Sequence, residues 1–346
     1  MSHDSSADES SFSRRSLISA SLGAAAFGMS AAAVGVGTQA AEGNKVGGAS
    51  ATSVTPKKKY AMKKSINLWA FPYPQRMNLE QCLRLAKEAG FDGIELNYDL
   101  DNDLSPKSDS KRYAEIRKLC DSIGIKVSGL CSFLFWPYPL TAEEPARRAK
   151  GMELAGLMTQ CAAELGTENL LVVPGAVTIP WRTDYPPVKP ADCDARARDA
   201  IGKLLPQADK LGVSLNIENI FFNGYLMTPS EMITFVDSFS SDKVKVHFDT
   251  GNIMLYQYPE HWIELLGKRI KNVHLKEFTT KGTDSSLESF RPLLDGTTNW
   301  PAVLEAFEAT QYDGYLTFEY FHPYLHWPEA LVYQTSDSLD RMLGRK

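Results

Sequence analysis

Four short segments of the chain end on side chains that can hold a divalent cation. Ser214-Leu-Asn-Ile-Glu218 and Tyr315-Leu-Thr-Phe-Glu319 close on carboxylates, Val244-Lys-Val-His-Phe-Asp249 on a third, and Ile270-Lys-Asn-Val-His274 on an imidazole. Each segment is rich in β-branched and apolar residues, the composition of a strand. One imidazole and three carboxylates suit Mn²⁺, Mg²⁺, Co²⁺ or Zn²⁺, with coordination positions left open for substrate oxygens. A single carboxylate at a strand end is often just capped or ion-paired. Four such groups at equivalent places on successive strands point instead to one site.

For these ends to meet, the strands must be parallel neighbours. From Ser65 onward, short β-type runs alternate with amphipathic helical runs, and eight such pairs can be counted. The strand candidates are residues 65–71, 93–97, 126–133, 169–174, 214–219, 245–249, 270–277 and 315–320. Between the first two, Asn78 to Gly90 sets Leu79, Cys82, Leu83, Leu85 and Ala86 near helical spacing, with Gly90 where a C-terminal cap belongs. The same passage from helix through glycine to strand recurs at Gly124, Gly166 and Gly212. Eight strand–helix units over about 280 residues predict an α/β fold, a closed (β/α)8 TIM barrel forming a single domain. A doubly wound dinucleotide-binding sheet would want G-x-G-x-x-G after an early strand, and none occurs at these turns. Barrel sites lie at the C-terminal ends of the strands. Strands five to eight therefore bring Glu218, Asp249, His274 and Glu319 to one rim.

The rest of the 346-residue chain is read around that barrel, residues 65–346. Ser13-Arg-Arg-Ser-Leu-Ile18, a Gly-softened Ala/Ser run and Thr38-Gln-Ala-Ala41 predict a twin-arginine export signal over 1–41, hence a periplasmic or extracytoplasmic location. The Gly and Ser content argues against a stable membrane span after processing. Residues 42–64, rich in Gly, Ser, Thr and Lys, read as a flexible linker. A net charge of -5 argues against a nucleic-acid partner gripped through a basic field. Five cysteines without a C-x-x-C pair give no disulfide or cysteine-bound metal. Homo-oligomerisation is left open.

With these residues in view, the chain resembles the xylose isomerase-like barrel superfamily, the sugar phosphate isomerase/epimerase group that includes ketose 3-epimerases and inosose dehydratases. The resemblance covers about residues 65–342. It is carried by Phe91-Asp-Gly-Ile-Glu-Leu96, Asn216-Ile-Glu-Asn219, His247-Phe-Asp-Thr-Gly-Asn252, Val273-His-Leu-Lys-Glu277 and Thr317-Phe-Glu319. It implies that Glu218, Asp249, His274 and Glu319 hold the metal and that Glu218 and Glu319 are also the catalytic acid/base pair. Two departures bear on substrate rather than metal. Asn252 stands where ketose 3-epimerases usually have a histidine, and Asn219-Ile-Phe-Phe-Asn223 replaces a more polar stretch after the first glutamate. The endonuclease branch of the superfamily needs further zinc ligands that these strand ends do not supply.

The chemistry expected is proton abstraction beside a carbonyl, with a divalent ion easing formation of the enediolate. Epimerisation, aldose–ketose isomerisation and β-elimination share that step. A sugar isomerase or epimerase acting on a small-molecule carbohydrate is the leading expectation. A lyase or dehydratase on an oxidised sugar or cyclitol, and a non-catalytic carbohydrate-binding barrel, are the alternatives. Lys276, Asn252, Glu95, Trp181 and Arg182 are assigned to the substrate: Lys276 to polarise the carbonyl or else to pair with Glu277 or Glu95, Trp181 and Arg182 as a lid. The rim loops are aromatic at residues 69–73, 133–138 and 320–327, which suits stacking on sugar rings, and His322 and His326 lie in the last of them.

Overall fold

The structure is a computed structural model that describes residues 58–282 and 286–346. The expected export signal and linker residues 42–57 lie outside the described residues. The strands and helices follow in the order β1 (Lys63–Asn67), α1 (Leu79–Glu88), β2 (Gly93–Tyr98), α2 (Ser110–Ile123), β3 (Lys126–Ser132), α3 (Pro145–Leu165), β4 (Asn169–Val172), α4 (Pro190–Leu211), β5 (Ser214–Glu218), α5 (Pro229–Asp237), β6 (Val244–Asp249), α6 (Pro259–Leu266) and β7 (Ile270–Leu275). A short ribbon, β8 (Glu277–Phe278) and β9 (Phe290–Arg291), precedes α7 (Trp300–Ala309), β10 (Tyr315–Phe318) and α8 (Pro328–Met342). Strands β1 to β7 and β10 close into a barrel, each parallel to its neighbours, in the order β1-β10-β7-β6-β5-β4-β3-β2. The expected (β/α)8 TIM barrel is therefore the observed fold.

Local chemistry explains the elements. Asn78 and Gln81 form a reciprocal capping box at the start of α1, and Leu79, Cys82, Leu83 and Ala86 are its buried face. Gly124 and Gly212 end α2 and α4 at φ 76° and 73°, in the left-handed backbone that lets the chain turn into the next strand. All five cysteines are buried. Among the described residues, no helix is long and apolar enough to cross a membrane.

Several strand boundaries differ from expectation by a residue or more, and three of these differences have a visible cause. The barrel begins at Lys63, two residues inside the stretch read as linker, because the Lys64 ammonium is buried against α8 by Asp340 Oδ1 (2.6 Å) and Ser336 Oγ (2.8 Å). A lysine satisfied this way is strand, not spacer. β1 stops at Asn67 rather than Phe71, since the Asn67 side chain accepts from the Trp69 backbone N–H (2.7 Å) and starts a 3₁₀ turn. β7 stops at Leu275, because the Lys276 N–H donates to Thr250 Oγ1 (2.9 Å) instead of continuing the ladder. Glu277 then turns away to accept from Trp300 Nε1 (2.6 Å), Thr298 Oγ1 (2.6 Å) and the Leu294 N–H (3.1 Å), anchoring the loop before α7.

Candidate active site

Glu218 closes β5, Asp249 closes β6, His274 lies one residue from the end of β7, and Glu319 directly follows β10. One donor atom from each lies within 4.8 Å of all the others, and all four residues are buried. Parallel registration produces this convergence. Asp249 sits beside His274, and His274 beside Thr317, so the inward period of two brings Glu319 up next to them.

The supports of each group are specific. Asp249 Oδ1 accepts from the N–H groups of Gly251 (2.8 Å) and Asn252 (2.9 Å), which leaves Oδ2 for the centre. Asn219 clamps the Asp249 backbone, accepting from its N–H (2.9 Å) and donating to its carbonyl (2.8 Å). Gly251 is required for the tight turn, since a Cβ there would stand 2.9 Å from the Lys276 carbonyl oxygen and 3.0 Å from its Cβ. His274 Nε2 meets Glu95 Oε2 at 2.6 Å, and the same oxygen accepts from Asn67 Nδ2 (2.6 Å). A carboxylate holding one imidazole nitrogen turns the other toward a metal. Here that nitrogen, Nδ1, lies 3.5 Å from both Glu218 Oε1 and Glu319 Oε1. Gly129 makes room for this support, because a Cβ there would lie 2.8 Å from Glu95 Oε1.

The donor set fits a divalent metal on the structure's own terms. Asp249 Oδ2, His274 Nδ1 and Glu319 Oε2 are buried without a hydrogen-bond partner among the described residues, and buried polar atoms rarely stay so. They belong to three of the four residues that converge. Lys276 Nζ lies 2.8 Å from Asp249 Oδ2 and against Glu319 Oε2, but off the direction of a hydrogen bond.

Burial and crowding dominate the electrostatics. Burial pushes the Glu218 carboxyl up to about 7, with His274 pulling it down and Glu319 pushing further up. Burial likewise raises Glu319, against the pull of Lys276 and His274. His274 is held well above the usual histidine range: burial opposes its charge, but Glu319, Glu95 and Glu218 outweigh it. Lys276 is raised too, burial again yielding to Asp249, Glu319 and Glu218. His247, edge-on to His274 with ring centres 4.1 Å apart, is driven well below the usual range by burial.

The residues assigned to the substrate divide. Lys276 joins the four, paired with Asp249 and Glu319 rather than with Glu277 or Glu95. Asn252 is buried, its Nδ2 donating to the Asn219 carbonyl (3.0 Å) and its Oδ1 3.3 Å from Lys276 Nζ. Glu95 is fully buried and bonded to His274 Nε2, a place from which it positions the imidazole. The Arg182 guanidinium is engaged by Asp184 at 2.9 and 2.5 Å. Trp181 packs on Trp136 and Phe133, with ring centres 5.1 and 6.4 Å away. His322 stacks edge-on against Tyr320, and His326 lies beside Trp327. Sequence reasoning missed Asn67 and Asn219. Both are asparagines at strand ends, a visible signal, but what each clamps is set by the fold.

A parallel eight-stranded barrel with helices between its strands defines a TIM barrel, here with a buried Glu-Asp-His-Glu set at the C-terminal ends of its strands. The chain belongs to the xylose isomerase-like TIM barrel family, whose model matches residues 83–342. It is 25% identical over 253 residues to an L-ribulose 3-epimerase of Mesorhizobium japonicum, covering 70% of this chain and 75% of that protein. It is 23% identical over 259 residues to the L-ribulose-5-phosphate 3-epimerase UlaE of Escherichia coli O1:K1, covering 74% and 86%. A solved L-ribulose 3-epimerase superposes with a TM-score of 0.66 at 21% identity, over 82% of this chain and 96% of that one.

Proposed function

We propose that the protein is a metal-dependent sugar epimerase or isomerase that moves a proton at a carbon beside a carbonyl. The observation that carries this reading is the placement of Glu218 and Glu319. Their carboxylates both lie 3.5 Å from His274 Nδ1, yet they arrive from β5 and β10, which β6 and β7 separate in the barrel. Two carboxylates reaching one centre from different directions can serve opposite faces of a substrate carbon.

Glu218, Asp249, His274 and Glu319 are the residues that would hold the metal, Mn²⁺, Mg²⁺, Co²⁺ or Zn²⁺. When bound, the ion supplies Lewis-acid stabilisation of negative charge on the carbonyl oxygen. The chain's own residues do the rest. One glutamate oxygen takes the α proton, and the other returns a proton to the opposite face, which inverts the carbon. The Lys276 ammonium, with Asn252 beside it, stands next to the developing oxyanion. Aromatic side chains limit water at the reacting carbon: buried Phe290 and half-buried Phe321 flank Lys276, and Trp69 packs on Phe321. The epimerase relatives support this class of reaction.

The second reading, a lyase on an oxidised sugar or cyclitol, is favoured by Asn252. Tied to Asn219 and Lys276, it cannot play the part of the histidine that ketose 3-epimerases carry there. Elimination begins with the same proton abstraction. Metal-loaded protein incubated with ketoses, 3-keto-sugars and inososes in D₂O, followed by NMR, tests both. Deuterium at a carbon beside the carbonyl supports the epimerase, and loss of water or an alcohol selects the lyase. Stoichiometric metal with neither outcome across the panel would overturn the catalytic reading.

A further inference from the structure

Lys276 occupies an unusual place for a lysine. Its side chain is 5% exposed, and the ammonium stands 2.8 Å from Asp249 Oδ2, against Glu319 Oε2, and 3.3 Å from Asn252 Oδ1. Asp249 and Glu319 are two of the four residues that converge as metal donors. The two oxygens that meet the ammonium are among the buried carboxylate oxygens that have no directed hydrogen bond among the described residues. A monovalent cation already sits on half of the donor set.

We infer that Lys276 is a built-in competitor for the metal: its ammonium balances the buried carboxylates of the metal-free site and must withdraw from Asp249 Oδ2 and Glu319 Oε2 before a divalent ion can take them. This rests on reading Glu218, Asp249, His274 and Glu319 as the metal site.

Three features of the structure shape the exchange. First, the start of the side chain is fixed, because the β6 turn packs on it: a Cβ on Gly251 would come within 3.0 Å of both Lys276 Cβ and Cγ. Only the far end of the side chain is left to move. Second, the ammonium has other partners at hand, namely Asn252 Oδ1 and the ring faces of Phe290 and Phe321, 4.9 and 5.4 Å from Nζ. Third, charge favours displacement over expulsion. Three carboxyl groups, Glu218, Asp249 and Glu319, converge there, so a divalent ion and the ammonium can both find acidic partners at the centre. The lysine thus lowers metal affinity below what the donor set alone would give, and it is released toward the substrate only in the loaded site.

The test compares wild type with Lys276→Met and Lys276→Arg after chelator stripping, using Mn²⁺ titration calorimetry and melting curves at neutral pH. Removing both the competition and the like-charge repulsion should tighten Mn²⁺ binding in Lys276→Met by about 10-fold or more. Its metal-free form should melt lower than wild type, and Mn²⁺ should raise its melting temperature by a larger increment. Lys276→Arg, which keeps the charge, should stay near wild type. A merely structural lysine would not produce tighter metal binding when removed. Equal or weaker Mn²⁺ binding by a folded Lys276→Met overturns the inference while leaving the metal site intact. Absence of Mn²⁺ binding by wild type overturns the metal reading and the inference together. Lys276→Gln, smaller and neutral, repeats the comparison if the Met variant does not fold. Failure of both to fold even with Mn²⁺ present makes Lys276 a fold determinant and overturns the inference, whereas folding only with Mn²⁺ supports it.

Discussion

The two faces of the same eight strands contrast sharply in chemistry. Facing the helices are Ile66, Ile94, Leu96, Leu215, Ile217, Val246, Phe248, Val273, Leu275, Leu316 and Phe318, all buried in one apolar core. Facing the barrel axis are Asn67, Glu95, Asn97, Asn216, Glu218, His247, Asp249, Asn272, His274 and Thr317, equally buried and nearly all polar. TIM-barrel interiors are commonly filled by layers of branched aliphatic residues. Here stability resides in the outer layer, and the axis is given over to chemistry. Many orphaned polar atoms fall on the axial side: Glu95 Oε1, both nitrogens of His247, Asn272 Oδ1 and Thr317 Oγ1 join Asp249 Oδ2, His274 Nδ1 and Glu319 Oε2 as buried groups without hydrogen bonds among the described residues. Such groups are expensive to keep. Their concentration on one face marks where function, rather than packing, chose the residues.

Substitutions on either face can break or sharpen this contrast. The largest expected effect is on the apolar side. Phe248 is fully buried and stacks on Trp262 with ring centres 6.0 Å apart, so Phe248→Ala should cost about 3–5 kcal/mol of stability in denaturant melts. Metal stoichiometry in the surviving folded fraction should be unchanged. Loss of metal from that fraction would mean that the two faces are not separable.

On the polar side, Glu218→Gln and Glu319→Gln keep the shape of the side chain but cannot accept the proton. Each should slow turnover on a verified substrate by roughly 10²-fold or more, the scale of a lost general acid or base, with little change in melting temperature. The glutamate that takes the α proton should abolish solvent exchange when replaced. Replacing the other should leave exchange and block only product. Full activity in both variants would remove them from the proton path.

The smallest effect belongs to the support layer. Glu95→Gln keeps a bond to His274 Nε2 but removes the carboxylate that orients and polarises the ring. Metal affinity should fall by roughly 10- to 100-fold, with catalysis restored at saturating metal. If saturating metal restores nothing, Glu95 acts on the substrate rather than through His274.

The alternation of β-type and helical runs determined the barrel, because a period of two and a period of 3.6 are local properties of the chain. The four strand-end donors were legible for the same reason: a strand's last inward residue is identified by counting along the strand itself. Strand ends, within two residues except at the end of β1, and helix-terminal glycines were also local and were read correctly in kind. Tertiary structure alone decided what lay beneath and beside those donors. Glu95 sits mid-strand in Gly93–Tyr98, and its partner His274 is 179 residues away, so its role as a support could not be told from a role at the substrate. Lys276 had acidic neighbours in sequence, yet closure of β10 against β7 gave it Glu319, and the β6 turn gave it Asp249. Arg182 was read with Trp181 as a lid, and only the folding of its own loop brought Asp184 to its guanidinium. Periodicity is written along the chain, whereas the pairing of buried charges depends on which distant strands become neighbours when the barrel closes.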